Sequence, residues 1–204
     1  DPAFESILVD QLDLNDLSGN NNNASNVGAS FQTSVKKFYD GATNFNGSAV
    51  MNVPASSDFA FGSGDFTIEF WVNTSVKTAD GIYRRMFVLD GPTGDTGTNL
   101  SLNIHASSGH VIAWGGNAGP GNIVNQGVNI ATGDWHHVEC VRQGTSVSIY
   151  VNGSLQGTGT DSRSLFASST PAPRLGGAST STGRMNGYMQ DVRIYKGIAK
   201  YTSS

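Results

Sequence analysis

The sequence contains little cysteine and no long apolar run. Its single cysteine, Cys140, excludes an intrachain disulfide and a cysteine-ligated zinc cluster. Because Cys140 lies within an apolar segment, we expect its thiol to be buried and unreactive. No apolar stretch approaches the ~18–20 residues that a membrane-spanning helix needs, and we therefore expect no membrane insertion.

Charge is also scarce, since charged residues make up 14% of the 204 residues and the formal net charge is −4. Binding of phosphate backbones requires clustered lysine and arginine, so we expect no nucleic-acid partner. Serine, threonine, asparagine and glycine must supply the polar surface instead. This composition suits an extracellular or virion-associated protein. The sequence begins at Asp1 rather than methionine, and we expect a processed terminus or a segment of a larger chain.

Alternating patterns predict antiparallel β-strands. In residues 65–72 apolar side chains recur at every second position, and large residues occupy both faces, as in a central strand. Residues 135–158 predict a meander of three strands. The pair Asn152-Gly153 is a strong hairpin signal, and the connections are too short for a parallel crossover. We predict an all-β protein with a single domain over residues 1–204.

Residues 15–24 are rich in asparagine and glycine, which favour turns over regular structure. Two interpretations remain open, a solvated loop and a calcium loop. Carboxylate, amide and backbone oxygens are the ligands that hard cations such as Ca²⁺ take. In the calcium interpretation Asp16, Asn20 and Asn22 supply oxygens from the loop, and Asp191 adds another from the closing strand.

A second candidate site is placed at Trp114, which ends a predicted strand beside the glycine-rich residues 115–121. Loops of small residues on a rigid sheet are common places for binding. An indole offers a sugar ring a broad apolar face together with an N–H group. We predict that Trp114 stacks on a sugar that forms hydrogen bonds with Asn117, Asn122 or Asp95.

The sequence shows no catalytic constellation. Retaining glycosidases need two carboxyl groups about 5–5.5 Å apart, and Glu69 and Glu139 each stand alone in their predicted strands. The neighbours His136 and His137 should point to opposite faces of a strand and cannot chelate one ion together. We therefore expect that the protein is not an enzyme.

Three segments occur in a recognisable order. They are GDFTIEFWV at residues 64–72, GDWHHVECVR with SIYVNG within residues 133–153, and GYMQDVRIY at residues 187–195. With the loop DLSGN at residues 16–20, they resemble laminin-G-like and pentraxin-like modules of the concanavalin A-like lectin/glucanase superfamily, including modules of phage structural and bacterial surface proteins. The resemblance implies a two-sheet antiparallel jelly-roll sandwich. Glucanase members carry Glu-x-Asp-x-x-Glu on one strand, and this sequence has no such triplet.

The resemblance implies a non-catalytic binding or adhesion module that recognises glycans or a neighbouring protein on a virion or cell surface. Two alternatives remain open: a structural decoration or assembly domain of a viral particle, and an accessory carbohydrate-binding domain of an extracellular glycoside hydrolase. Because one such site binds weakly, adhesion would require a multivalent assembly. Trp71 and Trp135 lie within the family motifs, and we expect both in the core.

Overall fold

The computed structural model describes residues 15–38, 40–76, 80–91, 100–116, 119–166, 170–179 and 182–202. Within these ranges the only helical element is a short 3₁₀ turn, Ser57–Phe59, and no helix is long and apolar enough to cross a membrane. The strands in chain order are β1 (Ser25–Val27), β2 (Ser30–Gln32), β3 (Ala42–Asn46), β4 (Val50–Asn52), β5 (Phe66–Asn73), β6 (Arg84–Asp90), β7 (Leu100–Ile104), β8 (Val111–Trp114), β9 (Asn122–Asn125), β10 (Trp135–Gln143), β11 (Ser146–Val151), β12 (Ser154–Thr160), β13 (Ala172–Leu175) and β14 (Asn186–Lys196).

The strands form two sheets of seven. Sheet A has the order β1-β4-β13-β6-β7-β8-β9, and sheet B has the order β12-β11-β10-β5-β14-β3-β2. All neighbouring strands named here pair antiparallel. The predicted all-β architecture, an antiparallel two-sheet jelly-roll sandwich, is therefore confirmed.

The core lies between the two sheets, as the period of two requires. Phe66, Ile68, Phe70 and Val72 of β5 are fully buried in one continuous apolar cluster. Burial of each such side chain is worth about 1.5–3 kcal/mol. Strand β5 lies between β10 and β14, which confirms its prediction as a central strand. Cys140 is buried, and burial raises the pKa of its thiol to about 12, as expected for an unreactive cysteine.

The predicted meander corresponds to β10, β11 and β12. At the second turn Asn152 and Gly153 have φ values of 51° and 76°, the left-handed pair that a tight hairpin of this type requires. Arg142, at the end of β10, is fully buried beside the first turn. Its guanidinium donates to the carbonyl oxygens of Gly144 at 2.8 Å and Arg163 at 2.9 Å, so that the buried charge is bonded to backbone acceptors.

Candidate functional site

Trp114 lies on the outer face of sheet A. Val111 and Ala113 of the same strand belong to the core, and the alternation therefore directs Trp114 away from it. The half-buried indole lines a cavity of about 200 Å³. We call this the Trp114 cavity; its walls are Gly81, Ile82, Tyr83, Arg85, Asn103, Trp114 and Thr182.

Two polar side chains of this cavity come from paired strands. Arg85 of β6 and Asn103 of β7 are direct cross-strand partners, so their side chains share one face of the sheet. Asn103 is 2% exposed and donates from Nδ2 to Ser101 Oγ at 2.9 Å. Its Oδ1 is buried with no hydrogen-bond partner. An unpaired buried acceptor is costly, and here the residue that carries it lines the cavity.

Tyr83 supplies a second aromatic ring to the cavity and is supported from behind by histidines. Its ring centroid lies 5.3 Å from that of His105, which stacks on His110 at 4.8 Å. The hydroxyl of Ser108 lies 2.8 Å from Nδ1 of both histidines. Burial and the neighbouring His110 lower the pKa of His105, so we expect His105 to remain neutral at neutral pH.

The predicted partners of Trp114 differ from the residues found around it. Asn122 is exposed and lies opposite Trp114 in the β8–β9 register, whereas Asn117 and Asp95 lie outside the described residues. The space beside Gly115, at the start of the glycine-rich residues 115–121, is filled by another side chain. A Cβ at Gly115 would lie 2.7 Å from Nη2 of Arg163, because this arginine fills that space.

The sequence analysis identified Trp114 but missed Arg85 and Asn103 as residues of this cavity. The available signal was the alternation of Ser101 and Asn103 with leucines in residues 100–104, which marks polar side chains on an outer face. Their pairing with β6 could not be read from that pattern.

The predicted calcium ligands are only partly brought together. Asp16 accepts from the backbone N–H groups of Ser18 at 2.8 Å and Asn22 at 2.9 Å, and Asn22 Nδ2 donates to Asp58 at 2.9 Å. Asn20 is exposed within the same loop. Within the described ranges no group of three or more His, Cys, Asp or Glu side chains is arranged to hold a metal ion.

Asp191 is engaged elsewhere. It occupies an irregularity of β14 with a positive φ of 54° and pairs with Arg193, with Asp191 Oδ2 2.8 Å from Nη2. No hydrogen bond or ion pair among the described residues joins it to Asp16. Calcium binding by these residues stays a prediction.

On the outer face of sheet B, Glu69 and Glu139 are direct cross-strand neighbours. Each stands alone in its own strand, as expected, but the pairing of β5 with β10 brings the two carboxyl groups side by side. They are 2% and 1% exposed. Residues after β14 cover them: the hydroxyl of Tyr201 donates to Glu69 Oε2 at 2.6 Å, and Lys200 Nζ lies 3.6 Å from Glu69 Oε1.

The remaining aromatic side chains of this face also make internal contacts. Trp71 stacks on His137 with ring centroids 5.0 Å apart, and His137 Nδ1 lies 2.6 Å from Glu139 Oε1. Trp71 and Trp135 are half-exposed, so their expected place in the core was wrong. His136 instead contacts Thr132 at 3.0 Å, which confirms that the two histidines have separate surroundings.

The comparison with protein families decides the classification. A model of the concanavalin A-like lectin/glucanases superfamily matches residues 45–199, more than half of the chain. The chain belongs to this superfamily. No curated protein matches the sequence.

Several solved structures have a similar fold at low sequence identity to this chain. Domain 4 of AbnA, an extracellular arabinanase from Geobacillus stearothermophilus solved with arabinotriose, has a TM-score of 0.74 at 18% identity, covering 98% of this chain and 96% of that one. A structure of botulinum neurotoxin type C has a TM-score of 0.68 at 15% identity; cell entry of this toxin depends on interaction with two ganglioside molecules. It covers 96% of this chain and 48% of the toxin chain.

The superfamily fold also forms part of an enzyme. A sialidase from Trypanosoma rangeli has a TM-score of 0.67 at 15% identity, covering 98% of this chain and 31% of the sialidase chain. The chain thus spans nearly all of the arabinanase domain but half or less of the other two proteins. At these identities the likeness concerns the fold, and a function has to be argued from the site.

Proposed function

We propose that this superfamily member is a non-catalytic carbohydrate-binding module whose ligand occupies the Trp114 cavity. One observation carries the proposal: the rings of Trp114 and Tyr83 line an open cavity together with Asn103, whose Oδ1 has no protein partner. A sugar ring has an apolar face for the indole and hydroxyl groups that donate to such an acceptor.

The outer face of sheet B supports the non-catalytic part of the proposal. A catalytic carboxylate must reach its substrate, whereas Glu69 is buried and its oxygens accept from Tyr195 at 3.3 Å and Tyr201 at 2.6 Å. These bonds hold the C-terminal residues against the sheet. In this proposal the acidic pair of Glu69 and Glu139 is structural.

The setting that we propose is extracellular, with the module displayed in several copies on a virion or cell surface, as part of a larger chain. A second setting is an accessory domain of an extracellular glycoside hydrolase. It is favoured by the near-complete mutual coverage with the arabinanase domain, which was solved with arabinotriose. Both settings use the same cavity.

The test is a glycan array that includes arabino-oligosaccharides, probed with a multimeric fusion of the domain. We expect binding that Trp114→Ala weakens about tenfold or more, because truncation of a central aromatic anchor costs about 2 kcal/mol. Trp135→Ala is the matched control, since this half-exposed tryptophan lies on the other sheet. Binding unchanged by Trp114→Ala would contradict the site, and no binding to any glycan would favour a structural decoration domain.

A further inference from the structure

Among the described residues that line the Trp114 cavity, Arg85 is the charged one. Its Nη1 donates to the carbonyl oxygen of Thr182 at 2.7 Å, which holds the guanidinium in place. No carboxylate within the described ranges forms an ion pair with it. A guanidinium carries five N–H donors, and the described contacts of this side chain use one of them.

Four other arginines differ from Arg85 in this respect, whereas the buried Arg142 bonds to backbone carbonyl oxygens. Each of the four pairs with an aspartate, and these pairs are Arg84 with Asp80, Arg163 with Asp161, Arg174 with Asp90 and Arg193 with Asp191. The fold therefore places a carboxylate beside most half-buried guanidinium groups. At the Trp114 cavity the described structure has no such partner.

The neighbourhood of the cavity is positively charged. An adjoining cavity of about 320 Å³ shares Ile82 and Thr182 with it and is lined by Asp80, Arg84 and Arg184, among other residues. With Arg85, three arginines stand against one aspartate, a local net charge of +2. The whole chain has a net charge of −4. The formal charge of the described residues that line these two cavities is thus opposite in sign to the net charge of the whole chain.

We infer that the ligand of the Trp114 cavity is an anionic saccharide, one whose sugar carries a carboxylate or a sulfate group. This inference rests on the proposed carbohydrate-binding function and specifies its ligand class. The planar guanidinium matches such groups with two parallel hydrogen bonds. Asn103 Oδ1 accepts a hydroxyl and repels an anion, so Arg85 and its cross-strand neighbour Asn103 fix the orientation of the sugar.

The experiment uses uronate-containing and sulfated oligosaccharides printed beside their carboxyl-reduced and desulfated counterparts. Wild type should prefer the anionic member of a pair. Arg85→Gln should weaken binding of that member about tenfold to a hundredfold, as expected for loss of a charge-assisted hydrogen bond, and should thereby remove most of the preference over the neutral member. Comparison of the uronate-containing with the sulfated oligosaccharides shows whether the cavity binds a carboxylate or a sulfate group.

Arg84→Gln is the matched control, because it removes the same charge from the adjacent residue, whose guanidinium already pairs with Asp80 at 2.7 Å. Equal effects of the two substitutions would overturn the inference in favour of a general surface field. Equal binding of neutral and anionic members, with sensitivity to Trp114→Ala, would also overturn it while retaining the proposed function. Binding insensitive to Trp114→Ala would overturn both. Thermal unfolding of each variant identifies any loss that comes from misfolding.

Discussion

The outer faces of the two sheets carry similar residues in different states. On sheet B, Glu69 accepts from Tyr195 and Tyr201 and attracts Lys200, so that its oxygens are occupied within the protein. On sheet A, Asn103 keeps an unpartnered acceptor and Arg85 keeps unused donors. Aromatic and charged composition therefore does not distinguish a structural cluster from a binding site. The hydrogen-bonding state of Glu69 differs from that of Asn103 and Arg85, and this difference distinguishes the two faces.

Glu139 is an intermediate case. One oxygen lies 2.6 Å from His137 Nδ1, whereas Oε2 is buried without a partner, like Asn103 Oδ1. The two differ in their surroundings, because Asn103 lines a cavity of about 200 Å³ and Glu139 is 1% exposed beside another carboxylate. The difference between the two residues is therefore the cavity beside Asn103, and only Asn103 belongs to the proposed site.

The largest effect is expected at Glu69. Glu69→Ala leaves the hydroxyls of Tyr195 and Tyr201 without their acceptor and should lower the free energy of unfolding by about 3 kcal/mol. Glu69→Gln keeps an acceptor oxygen and should cost less. Urea unfolding measures both. A loss below about 1 kcal/mol for the alanine variant would contradict the structural role of this face.

The next prediction concerns Asp161, which holds Arg163 against the loop that follows Trp114. Burial opposes its ionisation, but hydrogen bonds from Arg163 and the charges of Arg163 and Arg142 outweigh burial and lower the pKa of Asp161. Arg163 in turn donates to the carbonyl oxygen of Gly115 at 2.5 Å. Because the folded-state pKa is lowered, the stabilisation is present above the unfolded value of about 3.9 and is lost as the pH falls through the folded pKa.

Asp161→Asn should therefore cost about 1–2 kcal/mol at neutral pH, and the difference from wild type should shrink below about pH 4. Urea unfolding between pH 3 and pH 7 measures this window. A difference that does not depend on pH would show that the charge of Asp161 is not the stabilising factor.

The next prediction concerns Asp16, whose carboxylate already accepts hydrogen bonds from two backbone N–H groups. If calcium binds there, as the sequence predicts, ten times its dissociation constant should stabilise the fold by about 1.4 kcal/mol. Asp16→Asn should abolish the gain, and Asp191→Asn shows whether that residue contributes. Identical thermal unfolding in calcium and in chelator would reject calcium binding and leave Asp16 as a turn-stabilising residue.

A smaller effect is expected from the Tyr201 hydroxyl. Burial and its hydrogen bond to Glu69 raise the pKa of Tyr201, so it remains a protonated donor. Tyr201→Phe should cost about 1 kcal/mol of unfolding free energy. Tyr83→Phe, on the sheet A side, removes a hydroxyl for which the described residues show no hydrogen bond and should cost less than about 0.5 kcal/mol. Equal losses of unfolding free energy for the two variants would contradict the proposed difference between the outer faces of sheets A and B.

A small stability effect is also expected at Asn103. Asn103→Leu removes the unpaired acceptor together with one bond to Ser101, so the free energy of unfolding should change by less than about 1 kcal/mol. Glycan binding should nevertheless fall about tenfold, since a sugar hydroxyl loses its partner. Calorimetry with an array-identified glycan measures the binding. A large loss of stability without loss of binding would assign Asn103 to the fold.

Part of the candidate site could be predicted because its signal is local. Trp114 was identified from its place at a strand end, and the core residues of β5 from their period of two. Arg85 and Asn103 were missed because their pairing depends on strands brought together by the fold. For the same reason the sequence did not indicate that the space beside Gly115 is filled, since Arg163 comes from far along the chain.

The sequence by itself determined the strands within residues 65–72 and 135–158 and the core face of β5, because alternation and turn chemistry act between neighbouring residues. Asn152-Gly153 and residues 65–72 are examples. The tertiary structure decided which polar groups are occupied. Glu69 meets Glu139 and Tyr201, and Asn103 meets Arg85, through register and long-range packing. Whether a hydrogen bond forms depends on differences of a few tenths of an ångström in the donor–acceptor distance. The pattern of a single strand does not specify such differences.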